Sequence, residues 1–400
     1  MWLYRLLCGL SCCLLLACQP EQAAPQWGHD AYIWQRAWRP ALLQAVQEGG
    51  ALFQQWRVLG LEGDARSGSW YRVKVNAAAL QRSAHPVWLV VRMNGALGQY
   101  NEADTLRTIM DTLAQWQSLG IPLAGLEIDH DCGENSLPAY TRFLQTLRQQ
   151  LKGKLPLSIT MLPAWLDSAQ LGHIIAASDQ RVLQVHAVQN PRKGLFHPQQ
   201  AEDWIRRLSR STDQPFRVAL PSYGSMVSFD DWGNLVGIES EARTGVTGAQ
   251  RQELIVPPAQ VAALLQRLRQ DPPKGLSGFV WFRLPTREDQ RAWQLSTLQA
   301  VIHNQPLLPR IRVGLTARDR AGLHDVTLIN DGNVDAPLPA MLEAPYTCGT
   351  GDGIGPYRAQ EGVNGLLLQR QQAGLLRPGQ RLNIGWLRCS APPSSLIIHD

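Results

Sequence analysis

Residues 125–131 read Gly125-Leu126-Glu127-Ile128-Asp129-His130-Asp131. Leu126 and Ile128 alternate with Glu127, Asp129 and Asp131, and alternate residues of a strand share a face. The stretch therefore predicts a strand with one apolar face and a row of three carboxylates climbing toward its C-terminal end. A helical period flanks it on each side. Upstream, residues 105–119 place Leu106, Ile109, Leu113 and Trp116 at three-to-four spacing. Downstream, residues 137–151 do the same with Tyr140, Leu144, Leu147 and Leu151. A strand set between two helices is the repeating unit of a parallel sheet.

The alternation continues outward in both directions. Short apolar, β-branched or aromatic runs predict eight strands, at 31–38, 52–62, 86–94, 125–131, 156–162, 181–188, 215–223 and 277–284. Further helices are predicted at 165–177, 198–208, 257–268 and 288–302, with Pro198 and Pro258 near helix starts, where a missing N–H costs nothing. Eight such units predict an α/β fold, a (β/α)8 TIM barrel over residues 29–304. An open doubly wound sheet is the alternative, but no GxGxxG follows the first strand. After Asn304 the composition changes, and Pro306 and Pro309 mark a linker. Strand patterns at 310–318, 325–330, 366–369 and 381–387 predict a small β-sandwich-like domain over 306–400, serving as support for the barrel or as a carbohydrate-binding module.

Composition narrows the function. The chain has 400 residues, 44% of them hydrophobic and only 18% charged, which excludes a disordered chain. The net charge is +5 with no Lys/Arg run, which disfavours a nucleic-acid partner. Tryptophan is abundant, 14 residues against 8 Tyr and 7 Phe, either as core filler or as flat platforms for sugar rings.

Residues 1–18 hold one charge, Arg5, then an apolar run from Leu6 to Ala17, too short to span a membrane but suited to a signal-peptide core. The run ends Leu15-Leu16-Ala17-Cys18, which resembles the lipobox of bacterial lipoproteins. The resemblance implies cleavage before Cys18, lipidation of its thiol and anchoring in the bacterial cell envelope, with Gln19 directing the chain to the outer membrane, facing the periplasm. An ordinary secretory signal cut near Ala23-Ala24 is the other reading. Residues 19–28 form a short tether. Of the remaining cysteines, Cys348 and Cys389 share the C-terminal module and are expected to pair, as an oxidising compartment allows. Cys132 is then odd, either a buried free thiol or a site-lining group.

In a barrel, chemistry belongs at the C-terminal ends of the strands. The fourth predicted strand would point Glu127, Asp129 and Asp131 into the interior. Crowded carboxylates repel, so at least one should keep its proton near neutral pH. A protonated carboxyl beside an ionised one is what glycoside hydrolysis requires. A buried acid cluster neutralised by arginines is the alternative. Ala124–Asp131, A-G-L-E-I-D-H-D, resembles the fourth strand of family-18, chitinase-like glycoside hydrolases, D-G-x-D-x-D-x-E. The resemblance puts Asp131 at the proton-donating acid, Asp129 at the acid that orients the substrate's acetamido group, and Glu127 at the acid before it. Ala124 replaces the first acid, and Asp131 is one methylene shorter than the family's Glu. The family's sixth strand carries M-x-Y-D where Gln184-Val185-His186-Ala187 stands here, so His186 takes the Tyr position and the Asp is missing. Trp281 matches the family's habit of closing the eighth strand with a Trp beneath the sugar. The barrel region also resembles bacterial proteins described only as a domain of unknown function, which carries no activity with it.

Other residues at predicted strand ends complete the candidate substrate site: Trp34, Arg36, Glu62, Arg92, Asn94, Trp165, Tyr223 and Arg283. Arg36 and Arg92 serve the substrate or neutralise the acids. His186 is a proton shuttle or a core histidine, and Trp165 is a platform or a packing residue. The segment 222–256 reads as a long loop, a lid with Phe229, Trp232, Glu239 and Glu241. Asp129, Asp131, Glu127 and His186 are metal-ligand types, but no HxH or HxxxH spacing supports a metal, and no cofactor is expected. The expected function is a glycosidase-like protein acting on a polysaccharide. The alternative is a non-catalytic polysaccharide-binding or envelope-assembly lipoprotein on a degenerate barrel.

Overall fold

A computed structural model describes residues 26–186, 194–239, 250–318, 322–363, 365–391, 393 and 395–399. The signal-like segment with Cys18, and Glu241 of the expected lid, lie outside the described residues.

Eight parallel strands close a barrel. Their chain order is β1 (Gly28–Ile33), β2 (Gln55–Asp64), β4 (Val87–Asn94), β5 (Leu123–Asp129), β6 (Leu157–Met161), β7 (Gln180–Gln184), β8 (Phe216–Pro221) and β12 (Leu276–Phe282). β1 pairs with both β2 and β12, which closes the ring. A short β3 (Ser69–Arg72) lies antiparallel on β2. Helices connect the strands: α1 (Pro40–Gly49), α2 (Ala77–Ser83), α3 (Glu102–Ser118), α4 (Leu137–Leu151), α5 (Leu171–Ala176), α6 (Pro198–Ser211), α7 (Pro258–Gln270) and α8 (Leu295–Ile302). Outward-facing Leu89, Val91, Leu126, Ile128, Leu157 and Ile159 join Ile109, Leu113, Leu144 and Leu147 of the helices in one large core.

Side chains fill the lumen in layers. The floor is polar: Asp30, Arg57, Glu127 and Ser158 are all fully buried. Above it Tyr32, Val90, Val182, Ala219 and Val280 form an apolar ring with Trp34 and Phe282 packed on it. Two glycines allow close packing on the barrel wall, Gly125 toward the lumen and Gly60 toward the helices. A Cβ at Gly125 would meet the Trp88 ring at 2.2 Å, so the missing side chain is what admits that Trp to the lumen. At Gly60 a Cβ would lie 2.3 Å from Leu89 and 2.4 Å from Trp116. The register between β2 and β4 shifts between Leu59 and Leu61. That extra residue places Glu62, rather than Leu61, on the lumen face opposite Arg92.

Several expected boundaries move. The first strand starts at Gly28 and ends at Ile33, because the Trp34 N–H turns to the side chain of Gln35 (3.1 Å) instead of pairing in the sheet. The helix expected over 165–177 is a 3-10 turn, Pro163–Asp167, followed by α5. The last barrel helix starts only at Leu295, because Asp289 ties up the preceding loop by accepting bonds from Thr286 and Arg283. The expected lid loop is built as a three-stranded antiparallel sheet, β9 (Gly224–Phe229), β10 (Leu235–Glu239) and β11 (Gln250–Ile255), in the order β10-β9-β11.

Beyond the barrel, β13 (Ile311–Ala317), β14 (Leu323–Asn330), β21 (Arg381–Cys389) and β17 (Cys348–Gly353) form one antiparallel sheet. A second contains β18 (Tyr357–Gly362), β19 (Gly365–Arg370), β16 (Met341–Glu343) and β22 (Ile397–His399). β15 (Ala336–Pro337) and β20 (Leu375–Leu376) pair separately. The two larger sheets share a core that includes Val326, Leu342, Leu368 and Ile384. Cys348 and Cys389 are disulfide-bonded across β17 and β21. Arg377 donates to the backbone carbonyls of Asp289 and Ala292, tying these sheets to the barrel.

Candidate functional site

A cleft of about 360 Å³ opens at the C-terminal ends of the barrel strands. One wall is charged. Arg92, near the end of β4, donates from Nη1 to Asp129 Oδ2 (2.7 Å) and from Nη2 to Asp131 Oδ2 (2.8 Å). Its Nε donates to Asn94 Oδ1 (3.0 Å), and Asn94 Nδ2 donates to Glu62 (3.1 Å). At the rim, exposed Arg36 grips Glu62 with two bonds of 2.8 Å. The other wall is aromatic: Phe282 lies 5.1 Å from Trp34, 5.8 Å from Tyr32, and 5.2 Å from both His186 and Tyr223, ring centre to ring centre.

The acids of the β5 row separate by depth. Asp129 is buried and nearly saturated, accepting from Thr160 Oγ1 (2.7 Å), Gln184 Nε2 (3.2 Å) and Arg92. Asp131 stands just past the strand with its side chain 39% exposed. Among the described residues only its Oδ2 is partnered, by Arg92. Burial, then the neighbouring Asp129 charge, pushes the Asp131 carboxyl above the ordinary carboxylate range, with Arg92 opposing. For Arg92 burial acts downward, yet the two carboxylates outweigh it and hold the guanidinium more firmly protonated than usual.

Glu127 does not reach this cleft. It is fully buried in the lumen floor, accepting from Tyr32 (2.7 Å), Ser158 (2.7 Å) and Arg57. Arg57 also donates to Asp30 (3.2 Å) and lies over Trp88. Trp281 is likewise fully buried, its Nε1 donating to His29 Nδ1 (3.1 Å), and Phe282 takes the place expected for it. One residue of register decides which of the two faces the lumen. Trp165 is a packing residue whose Nε1 donates to the Cys132 carbonyl (2.8 Å). Arg283 is buried against Asp289 (2.7 Å) and does not line the cleft. Cys132 is a buried free thiol, pushed up to about 11 by burial and by Asp131.

The structure therefore brings together Trp34, Glu62, Arg92, Asn94, Asp129, Asp131, His186 and Tyr223, with Arg36 at the rim. It adds Tyr32, Thr160, Gln184, Ala219 and Phe282. Thr160 was within reach of sequence reasoning, because Ser158 and Thr160 are alternate polar residues in an otherwise apolar strand. His186 is held neutral: burial pushes its imidazole down to about 4, and its Nδ1 faces the Tyr223 hydroxyl at 3.5 Å. Of the expected lid residues, Phe229 is buried and Trp232 is exposed. Among the described residues no group of three His, Cys, Asp or Glu side chains is placed to hold a metal ion.

Comparison with known proteins agrees with this architecture. No curated protein sequence matches the chain. Among solved structures, the Bacillus cereus spore cortex-lytic enzyme SleL has a TM-score of 0.51 at 13% identity, covering 70% of this chain and 74% of that one. SleL of Bacillus megaterium has a TM-score of 0.50 at 12% identity, covering 66% and 72%. A chitinase from Chromobacterium violaceum has a TM-score of 0.47 at 14% identity, covering 70% and 98%. At such identities the likeness to the two SleL structures speaks to the barrel fold alone. Residues 313–390, in the C-terminal sheets, match a second domain of unknown function, DUF8456. The match over residues 83–287 spans more than half of the 400 residues, and the chain belongs to the family described as a domain of unknown function, DUF3142.

Proposed function

We propose that this protein is an envelope-anchored, glycoside-hydrolase-like enzyme that cleaves a glycosidic bond of a polysaccharide, with Asp131 as proton donor and Asp129 as its orienting partner. One observation carries the reading. Asp129 and Asp131 both line the open cleft, but Asp131 alone of the row has its side chain in contact with solvent, and burial with the Asp129 charge shifts its carboxyl upward, toward the protonated form that a general acid needs. Asp129 is suited to the partner's role, since Thr160, Gln184 and Arg92 fix its position. Phe282, Trp34 and Tyr223 supply an apolar wall for the face of a sugar ring. The lipobox-like Cys18 supports a lipid anchor, and the Cys348–Cys389 disulfide supports an oxidising compartment such as the periplasm.

The test is turnover of cell-wall, chitin-type and exopolysaccharide glycans by wild type and by Asp131→Asn. General acid catalysis is worth roughly 100- to 10,000-fold, so the variant should lose at least about 100-fold in kcat. Equal rates would sink the reading. Arg92 Nη2, 2.8 Å from Asp131 Oδ2, favours the ionised carboxylate and so a second reading, binding without turnover. Glycan binding that survives Asp131→Asn, with no hydrolysis by wild type, selects that one.

A further inference from the structure

We propose that the N-terminal face of the barrel is a membrane-apposed surface, which seats on anionic phospholipid headgroups and turns the cleft away from the bilayer. The proposal rests on the lipid anchoring of Cys18 put forward above.

The first argument is where the chain enters the fold. Trp27 is pinned at the base of the barrel. Its Nε1 donates to the carbonyl of Leu276, the first residue of β12, at 3.0 Å, and its ring stands edge-on to Phe279 at 5.3 Å. The nine steps from Cys18 to Trp27 span at most about 32 Å even fully extended. The eight residues of β4 alone measure about 26 Å along the strand, and the cleft lies beyond its far end. The tether joins the near face and is only slightly longer than the barrel is tall, so the near face is the one held beside the bilayer, and with that face seated on it the mouth of the cleft stands a barrel's height away.

The second argument is charge. Arg82 at the end of α2, Lys152 and Lys154 just after α4, and Arg210 near the end of α6 are exposed, and each lies shortly before a barrel strand begins. They gather on the N-terminal face, and among the described residues none has a carboxylate partner. Their neighbours Lys274 and Arg148, by contrast, are paired with Asp213 and Asp179. Cations near helix C-termini also stabilise the helix dipole, a role indifferent to lipid. The opposite face pairs Glu62 with Arg36 and Asp131 with Arg92 and also carries exposed Arg39 and Arg66, so the point where the chain enters, more than net charge, selects the near face. Basic residues close to an anionic leaflet are attracted within about a Debye length, so a short tether makes the four free cations effective. The glycan taken by the cleft then belongs to a layer away from the anchoring bilayer, not to lipid-linked chains on it.

The test is amide hydrogen exchange of the full-length, processed protein on vesicles of phosphatidylethanolamine and phosphatidylglycerol, compared with phosphatidylcholine vesicles. Amides at 152–155 and 211–215 should exchange about threefold more slowly, or slower still, on the anionic vesicles, with 95–101 and 130–136 unchanged. The triple variant Lys152→Glu, Lys154→Glu, Arg210→Glu should stay on the vesicles but lose that protection. Wild type that floats with vesicles yet shows no such protection, or shows it around the cleft instead, overturns the docking face and leaves the anchor standing. Wild type that fails to float, like Cys18→Ser, overturns the anchoring reading and this proposal together.

Discussion

Glu127 and Asp131 sit four residues apart on one face of one chain segment, and the structure gives them opposite surroundings. Glu127 lies beneath the apolar ring of Val90, Val182, Ala219 and Val280, out of water, with Arg57, Ser158 and Tyr32 using its oxygens. Asp131 lies above the ring, partly in water, with a single arginine on one oxygen. Depth in the lumen, more than residue type, separates a structural acid from a chemical one. A charge below the ring must be matched to exist at all. A charge above it can remain incompletely matched, and that incompleteness is what a substrate can use.

The sharpest way to break this contrast is to remove each acid in turn. Glu127→Ala leaves the Arg57 guanidinium buried with Asp30 as its remaining carboxylate, and loss of one partner from a buried pair costs about 3–5 kcal/mol. Asp131→Ala, at a side chain in contact with solvent, should cost less than about 1 kcal/mol. Urea unfolding of the two variants measures the difference. Equal costs would mean that the ring does not divide the lumen.

The second test asks how dry the aromatic side of the cleft is. His186 lines the cleft yet is buried, and burial pushes its imidazole from 6.5 down to about 4. The folded state keeps it neutral while the unfolded chain protonates it, so stability falls as pH drops from about 6.5 toward 4. A shift of this size corresponds to about 3 kcal/mol. His29, lowered to about 3 chiefly by burial, adds a loss of the same sign. The variant His186→Phe keeps a ring against Phe282 and removes the titration, so its stability should fall about 3 kcal/mol less than wild type across that window. Parallel pH profiles for the two proteins would show that water reaches the imidazole and that the upper lumen is wet on both walls.

Much of this contrast was legible in the sequence, because period-two alternation reports which face a side chain takes. Leu126 and Ile128 against Glu127, Asp129 and Asp131 placed the acids in the lumen, and the helix–strand alternation gave the barrel. The order of height was legible too, since the row climbs toward the C-terminal end of its strand; which of the acids stands below the apolar ring and which above it was not, because that depends on register with neighbouring strands, which only the closed sheet defines. The pairing Glu62↔Arg92↔Asp129 needs the shift at Gly60, a residue that the sequence reading ran through as part of one uninterrupted strand over 52–62. Trp281 was placed at the cleft by resemblance to the family's eighth strand, and the register of β12 gives that place to Phe282 instead. Trp165, read as a platform or a packing residue, proves to be the latter, and Arg283 leaves the candidate site, for another reason. Each has a partner distant in sequence or in a loop, the Cys132 carbonyl and Asp289, and composition does not reveal such bonds.

The smallest effect sharpens the contrast most, because its sign is unusual. Burial and the Asp129 charge raise the Asp131 carboxyl above its value in the unfolded chain, so the folded state holds that proton more tightly. As pH climbs from the unfolded value near 3.8 through the raised folded value, the unfolded chain loses its proton first and stability declines. Above that window the ionised Asp131 is a constant cost. Asp131→Asn removes the charge with little change in shape, so it should stabilise the protein at pH 7 and be neutral below pH about 3.8, where both chains are uncharged at this position. Solvent contact keeps the gain below about 1 kcal/mol, and Arg92, which retains Asp129, limits it further. Thermal melts of both proteins at the two pH values measure it. A variant less stable at neutral pH would mean that Arg92 dominates Asp131 and that the cleft stores an ion pair rather than a poised acid.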